Sequence, residues 1–367
     1  MNRTLQLRTF SSSAVPPGEI VVARDFTMPG RGRLPCPAGD VIAVDLRRGG
    51  GKIRRASLSL QDTPRPGTAK VYTASYVDRA GQAVGFAIGA HANEAHLATD
   101  AVARWCRALR SRRLVVADVG RPCLCLDFAP PRDARTVLPS QTQEHRSVLP
   151  PPHGQPRQCP AAAMSLEDTR TYAQRGDTVV LIGESEDAVA ALKAEGPDHT
   201  VVVRSAVEAA ALDVPRPERI SFVVQPGLPA EEAMPVLAAL RERFPLLRGH
   251  HFDALCHRSS DRTAAASVAS TGADVALVLG EPADADSARL ARACLPARTR
   301  IINRLDQVGP GLIESATTIA LVPARTAPAR LASAVEQALT GLGPLTVISR
   351  SVSSRPGILR LRRETPC

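Results

Sequence analysis

The sequence contains few lysines, few aromatic residues and no long apolar run. Lysine contributes only Lys52, Lys70 and Lys193 to the 46 basic residues, and 3% of all residues are aromatic. No stretch reaches the roughly 18 consecutive apolar residues of a membrane-spanning helix, and the first residues lack the apolar segment of a secretory signal. The arginines are dispersed, which argues against a nucleic-acid-binding surface. We therefore expect a cytoplasmic protein whose partners are neither a membrane nor a nucleic acid.

The remaining composition is that of a globular protein. The chain has 367 residues, of which 44% are hydrophobic, and this length is enough for two or three domains with their own cores. Eight cysteines are present. In an intracellular chain of this size, cysteines are metal ligands, redox groups or buried thiols more often than disulfide partners.

Continuous apolar segments alternate with amphipathic segments from about residue 100 onward. The strand-like segments are residues 114–120, 178–183, 199–205, 220–225, 274–280 and 318–323. The helix-like segments are residues 101–113, 164–177, 229–245, 259–272, 284–296 and 327–343. Apolar strands separated by helices predict an α/β fold, with βαβ lobes, parallel sheets and sites at the carboxyl ends of the strands.

The first hundred residues have a different pattern, which predicts an α+β segment. Four stretches there resemble strands joined by hairpin turns, at residues 19–26, 40–48, 70–77 and 82–90. Residues 130–158 are rich in Pro, Gln, Ser and Arg, which is typical of a linker. The predicted parts are a tail (1–18), the N-terminal α+β segment (19–112), a shortened first lobe with linker (113–158), a second lobe (159–253), a third lobe (254–350) and a second tail (351–367).

The positions of the cysteines suggest a shared site. Cys159 and Cys256 each precede a predicted helix, while Cys123 and Cys125 follow the strand at 114–120. Loops of this kind can converge in a parallel-sheet fold, and three thiolates near helix amino ends suit an iron–sulfur cluster. On the residues alone, unrelated core or loop cysteines remain the alternative interpretation.

A set of collinear motifs gives these cysteines a context. The motifs are the Cys-Pro pair at 159–160, QRGDTVVLIG (174–183), ERISFVVQPGLPAEEAMPVLAALRERFP (218–245), DALCHRSSDR (253–262), DVALVLGEPADADSARL (274–290) and ARTAPARL (324–331). In their order and spacing they resemble the LytB family of iron–sulfur 4-hydroxy-3-methylbut-2-enyl diphosphate reductases. The resemblance covers about half of the chain, from Cys159 to about residue 350.

The resemblance implies three αβ lobes arranged around a central 4Fe–4S cluster, with one cysteine ligand from each lobe. By position, Cys159 and Cys256 match the second and third ligands. Cys123 is the better match to the first ligand, with Cys125 and Cys36 as alternatives. The implied reaction is the reductive removal of a hydroxyl from a small allylic diphosphate or related substrate, in isoprenoid biosynthesis by the non-mevalonate pathway. Its products would be isopentenyl and dimethylallyl diphosphate, and the implied electron donor is a protein such as ferredoxin or flavodoxin.

The chain departs from the family where a catalytic acid is expected. After the strand at 178–183 the family has a histidine and a catalytic glutamate, whereas this chain reads GESEDAV. The resemblance therefore leaves Glu186 as the candidate catalytic residue, displaced from the family position, with Glu184 as the alternative.

A second departure affects substrate binding. The Ser-Ser-Asn clamp that binds the diphosphate in the family aligns with a segment that carries Asp284 and Asp286, and Thr326 retains a family hydroxyl. Asp284, Asp286 and Thr326 are thus the candidate substrate-binding residues. Carboxylates at this place would repel a diphosphate by roughly 1–4 kcal/mol per pair of charges at about 4 Å, depending on the local dielectric constant. The sequence therefore leaves three functions open. They are a LytB-type reductase with a degenerate substrate site, a non-catalytic LytB-fold binding or regulatory protein and, as the weaker alternative, an unrelated doubly wound sugar- or nucleotide-binding protein.

Overall fold

The computed structural model describes residues 6–63, 66–78, 81–118, 160–184, 186–250 and 255–353. These residues divide into two compact units. The first unit falls within Met1–Val119 and Ala264–Ser351, and the second falls within Gly120–Thr263. The chain thus leaves the first unit after its first third and returns to it partway along a helix.

Strands and helices alternate through most of the described chain. The strands are β1 (Gln6–Ser12), β2 (Ile20–Met28), β3 (Gly32–Pro35), β4 (Ile53–Ser59), β5 (Ala69–Val77), β6 (Ala83–Ala90), β7 (Arg112–Asp118), β8 (Thr178–Ile182), β9 (Thr200–Val203), β10 (Ile220–Val224), β11 (Arg248–Gly249), β12 (Val275–Leu279), β13 (Arg298–Ile302), β14 (Thr318–Pro323) and β15 (Leu345–Ser351). The helices are α1 (Gly39–Arg48), α2 (Ala95–Arg107), α3 (Pro160–Gln174), α4 (Glu186–Lys193), α5 (Ala206–Ala211), α6 (Ala230–Arg243), α7 (His257–Ser270), α8 (Ala285–Ala293), α9 (Pro310–Ile313) and α10 (Leu331–Thr340).

The first unit contains two sheets that share one apolar core. The N-terminal sheet has the order β1-β5-β6-β2-β3, with β4 beside β2, and it is antiparallel except for the β2–β4 pair. The second sheet has the order β13-β12-β14-β7-β15 and is parallel throughout. Phe26, Trp105, Leu114 and Leu277 belong to a single cluster of buried side chains. The N-terminal segment is therefore packed into the same body as the strands around residues 275–323.

The second unit is a smaller βαβ layer. Its sheet has the order β11-β10-β8-β9, and all neighbouring strands are parallel. All five residues of β10 are buried, as are four of the five in β8. Strands that are covered on both faces require consecutive apolar residues. Such runs can be recognised in the sequence, which is why β8 and β10 could be predicted. The α/β class predicted from these strands is confirmed.

Three local predictions differ from the structure. Residues 40–48 form helix α1 instead of a strand, because Val41, Ile42 and Leu46 lie on one buried face with helical spacing. Residues 6–12, predicted as part of a tail, form the strand β1, which pairs with β5 along its whole length. Strand β7, predicted to belong to a shortened first lobe, lies between β14 and β15 in the parallel sheet of the first unit.

None of the helices in the described part of the chain has the length and apolar character needed to cross a lipid bilayer.

Candidate functional site

The carboxyl ends of β8 and β10 lie side by side in the second unit. The backbone N–H of Gln225, just after β10, donates to the carbonyl oxygen of Ile182 at 2.8 Å. A Cβ atom on Gly183, just after β8, would lie 2.6 Å from the Cβ atom of Gln225. Glycine is therefore required at the end of β8, because the Gln225 side chain fills the space where a larger residue would project.

Cys256 is attached to this same edge of the sheet. It is buried and immediately precedes α7. The Ser259 hydroxyl donates to the carbonyl oxygen of Gly227 at 2.7 Å, and the Ser260 hydroxyl accepts from the backbone N–H of Ala230 at 3.0 Å. Both contacts join the start of α7 to the segment between β10 and α6, so the Cys256 thiol is held at the carboxyl end of β10.

Cys256 lies at the amino end of α7. The amino end of a helix carries a partial positive charge and favours anionic groups. The Ser259 hydroxyl oxygen lies 4.0 Å from the Cys256 sulfur. One sulfur ligand of a metal group therefore fits here.

The other predicted ligands lie outside the described residues. Cys123, its alternative Cys125, and Cys159 all fall in the segment between 118 and 160, where no position is described. Within the ranges that are described, no group of three or more His, Cys, Asp or Glu side chains could hold a metal ion. The convergence of the three cysteines thus remains a prediction.

Burial also acts on the other three described thiols, Cys36, Cys106 and Cys294. Burial raises the pKa of Cys36 to about 11, an effect that the neighbouring Arg55 only partly opposes. Burial likewise raises the pKa of Cys106 to about 11 and raises that of Cys294. Because the thiolate is the form that binds metals, a raised pKa disfavours all three as ligands. Cys36 in particular packs in the core of the first unit, which argues against its being the first ligand.

Glu186 lies at the carboxyl edge of the second sheet. It is the first residue of α4, which follows β8 after a short connection, and its side chain is exposed. Glu184 is exposed in the same connection. Both carboxylates can be reached from solvent at the edge to which Cys256 is attached.

A buried histidine, not singled out from the sequence, supports this edge. The Nε2 atom of His250 accepts a hydrogen bond from the backbone N–H of Val224 at 3.2 Å, and its Nδ1 atom lies 3.3 Å from Asp168. Burial lowers the pKa of His250, and this outweighs the attraction of Asp168. His250 is therefore neutral at physiological pH, with its proton on Nδ1, and it positions the end of β10.

The three predicted substrate-binding residues do come together, in the first unit. Asp284 is the N-cap of α8, and its Oδ2 atom accepts from the Ser287 N–H at 2.9 Å and from the Ser287 hydroxyl at 3.1 Å. Its Oδ1 atom lies 3.1 Å from Nη2 of Arg325. Asp286 Oδ2 accepts from the Arg325 N–H at 2.8 Å. These contacts join the start of α8, after β12, to the loop after β14.

Thr326 completes a directed chain of hydrogen bonds. Its hydroxyl accepts from the backbone N–H of Glu281 at 2.9 Å and lies 3.4 Å from the Ser287 hydroxyl. A carboxylate only accepts hydrogen bonds, so the Ser287 hydroxyl donates to Asp284 and is free to accept from Thr326. The order of donation therefore runs from Glu281 through Thr326 and Ser287 to Asp284.

Hydrogen bonding keeps Asp284 ionised despite its burial. Burial alone raises the pKa of this carboxyl, but donation by the Ser287 N–H, by Arg325 and by the Ser287 hydroxyl lowers the pKa overall. Ser287 and Arg325 were missed as site residues. The signals were present in the sequence, since Ser287 is three residues after an N-cap aspartate and Arg325 precedes Thr326.

Comparison with known proteins places these residues in a family. The family model described as "LytB protein" matches residues 157–340. The chain is similar to "4-hydroxy-3-methylbut-2-enyl diphosphate reductase 2" of Mycobacterium bovis, with 31% identity over 199 residues, which are 53% of this chain and 60% of that protein. It is also similar to the "4-hydroxy-3-methylbut-2-enyl diphosphate reductase" of Zymomonas mobilis, with 30% identity over 196 residues, which are 52% of this chain and 56% of that protein. The chain thus spans less than two thirds of the curated relatives that it matches.

Among solved structures, the chain is similar to the "E-1-hydroxy-2-methyl-but-2-enyl-4-diphosphate reductase from Plasmodium falciparum". The TM-score is 0.48 and the sequence identity is 18%, over 54% of this chain and 64% of that one.

Proposed function

Because this chain belongs to the LytB family, we propose that it is a reductase of the 4-hydroxy-3-methylbut-2-enyl diphosphate reductase type with an altered substrate site. The observation that carries the proposal is the position of Cys256, a buried thiol at the amino end of α7 that is fixed to the carboxyl end of β10. Carboxyl ends of parallel strands are where α/β proteins place their ligands.

The proposed reaction removes a hydroxyl group from an allylic carbon. The C–O bond breaks, two electrons and two protons are taken up, the oxygen leaves as water, and a C–H bond forms. In the cytoplasm, where we place this protein, a ferredoxin or flavodoxin would supply the electrons. Isoprenoid precursors would be the corresponding products, as the resemblance to the LytB family implies.

The proposed metal group is a 4Fe–4S cluster held by Cys123, Cys159 and Cys256. When bound, such a cluster supplies electrons and an iron that polarises the leaving hydroxyl. The Cys256 sulfur fits one ligand position, because it is buried and immediately precedes α7. Leu255 and Cys256 are both buried, so the sulfur is shielded from water at this edge.

The remaining site residues have proposed roles of their own. Glu186, exposed at the start of α4, is the proposed proton donor to the departing hydroxyl. Asp284, Asp286 and Thr326 are proposed to line the substrate site, where Asp284 and Asp286 would fix the loop that carries Thr326.

Anaerobic purification tests the cluster directly. We expect a brown protein with iron and acid-labile sulfide after reconstitution. Cys256→Ala and Cys159→Ala should each lose most of the iron, whereas Cys294→Ala, a buried thiol within the first unit, should retain it as the matched control. A colourless wild-type protein without iron would contradict the proposal and leave a non-catalytic LytB-fold binding protein.

Turnover tests the reaction. The reconstituted protein is incubated with a reduced viologen and a series of allylic alcohols, with and without a diphosphate group, and the dehydroxylated products are measured. Product formation that requires both iron and reductant supports the proposal. An iron-loaded protein that converts none of these alcohols would contradict it.

A further inference from the structure

The start of α8 assembles the groups that ordinarily bind oxyanions. The Ser287 N–H points out of the first turn of this helix, the Ser287 hydroxyl lies beside it, and the Arg325 guanidinium approaches from the loop after β14. A helix amino end with an arginine next to it is a common cradle for phosphate or carboxylate groups. In this chain, the cradle is formed by Ser287 and Arg325.

The Asp284 carboxylate itself already binds the Ser287 and Arg325 donors. One of its oxygens accepts both Ser287 bonds, and the other lies 3.1 Å from the Arg325 guanidinium. Only 10% of the Asp284 side chain is exposed. An anion entering the cradle would have to displace this carboxylate, which would then be buried without its donors, next to a second negative charge.

Asp286 strengthens this arrangement. Its carboxylate accepts from the backbone N–H of Arg325, and the residue is buried. The Arg325 loop is therefore fixed through its backbone by one carboxylate while its side chain faces the other. A phosphate that approached Arg325 would meet two carboxylates that are already in place.

We infer that Asp284 is a specificity-determining residue that excludes phosphate-bearing ligands from the carboxyl edge of β12 and β14. The inference rests on the proposed function, in which this edge lines the substrate site, and it narrows the substrate class to allylic alcohols without a diphosphate group. Specificity of this kind is built by placing a repulsive group against the unwanted ligand.

Inorganic pyrophosphate is the probe that tests this inference, by isothermal titration calorimetry with the full chain. Asp284→Asn keeps a side chain that caps helices well but removes the charge. We expect wild-type protein to show no binding at millimolar pyrophosphate, and Asp284→Asn to bind at least tenfold more tightly. Adding Arg325→Gln to that variant should abolish the gained binding.

Asp274→Asn is the matched control. The Asp274 carboxylate also accepts from backbone N–H groups and a hydroxyl, of Thr317 and Thr318, but it lies at the amino end of β12. This variant loses the same charge from the opposite end of the same sheet. Its pyrophosphate binding should equal that of the wild-type protein.

Two results would overturn the inference, and neither depends on the cluster. Wild-type protein that binds pyrophosphate at millimolar or lower concentration would show that the carboxylate excludes nothing. A folded Asp284→Asn that fails to bind, together with a folded Asp284→Ser that also fails, would show that no anion cradle exists. Because iron is not needed for the titration, the pyrophosphate result can be interpreted even if the proposed reductase activity is absent. The wild-type measurement also does not depend on whether any variant folds.

Discussion

The Ser259 hydroxyl donates a hydrogen bond of 2.7 Å to the carbonyl oxygen of Gly227. This contact fixes the start of α7 to the end of β10, and Cys256 lies three residues before it in the chain. The same hydroxyl oxygen is 4.0 Å from the Cys256 sulfur. Ser259 is therefore a positioning residue for the proposed sulfur ligand.

Replacing Ser259 by alanine should loosen this connection. We expect a loss of about 1 kcal/mol in the free energy of unfolding, because a buried carbonyl loses its donor, and a faster loss of iron to a chelator. Ser267→Ala, at an exposed position of the same helix, should change neither quantity. Ser259→Thr should restore both, and equal iron loss in all variants would contradict the positioning role.

The assignment of the first ligand predicts a contrast between two cysteines. Burial raises the pKa of Cys36 to about 11 and keeps the thiol protonated, so Cys36→Ala should retain the iron of the wild-type protein. Cys256→Ala should not. Iron analysis after anaerobic reconstitution measures both, and iron loss in Cys36→Ala would return Cys36 to the ligand set.

A glycine at the end of β12 is expected to be indispensable for the hydroxyl chain at Asp284. A Cβ atom on Gly280 would lie 2.4 Å from the Ser287 hydroxyl oxygen and 3.0 Å from that of Thr326. Gly280→Ala should therefore lower the free energy of unfolding by about 1–3 kcal/mol, as overpacking usually does. Urea titration measures this loss. In the same experiment Gly311→Ala, where the added Cβ atom would meet nothing within 4 Å, should leave the free energy of unfolding almost unchanged.

The Asp274 carboxylate should make stability depend on acid pH. Hydrogen bonds from the N–H groups of Thr318 and Thr317, and then from the Thr317 hydroxyl, lower its pKa. A carboxyl whose folded-state pKa is depressed stabilises the fold at neutral pH, and this contribution is lost as the pH falls below about 4 towards that pKa. Urea unfolding at neutral pH and at about pH 3 should show a smaller difference for Asp274→Asn than for the wild-type protein. An unchanged difference would refute the role of Asp274.

A buried arginine is expected to stabilise the first unit. The Arg112 guanidinium donates to the carbonyl oxygens of Leu342 and Ile313, each at 3.1 Å, and to that of Ala108. Burial lowers its pKa to about 10. Arg112→Met would leave these carbonyls without a donor, so the unfolding free energy should fall by about 2–4 kcal/mol. Arg113→Met, at an exposed position of the same strand, is the control, and equal melting curves for the two variants would contradict this account.

The sequence by itself determined the α/β class and most of its elements. Strands such as β8, β10 and β12 are short apolar runs because both of their faces are buried. A run of consecutive apolar residues can be recognised from the sequence without knowledge of the fold. The motifs around Cys159 and Cys256 likewise identified the family, since they depend on local order along the chain. The candidate residues Asp284, Asp286 and Thr326 could be named for the same reason.

Only the tertiary structure decided how distant segments combine. Strand β7 lies between β14 and β15, and β1 pairs with β5, because backbone pairing depends on register between strands far apart in the chain. The contact of Arg325 with Asp284 could not be predicted from the sequence either. A local sequence pattern does not show that the loop after β14 will lie beside the segment after β12. The sequence thus predicted the carboxylates of the candidate site, Asp284 and Asp286. Only the fold shows that Ser287 and Arg325 already donate hydrogen bonds to these carboxylates.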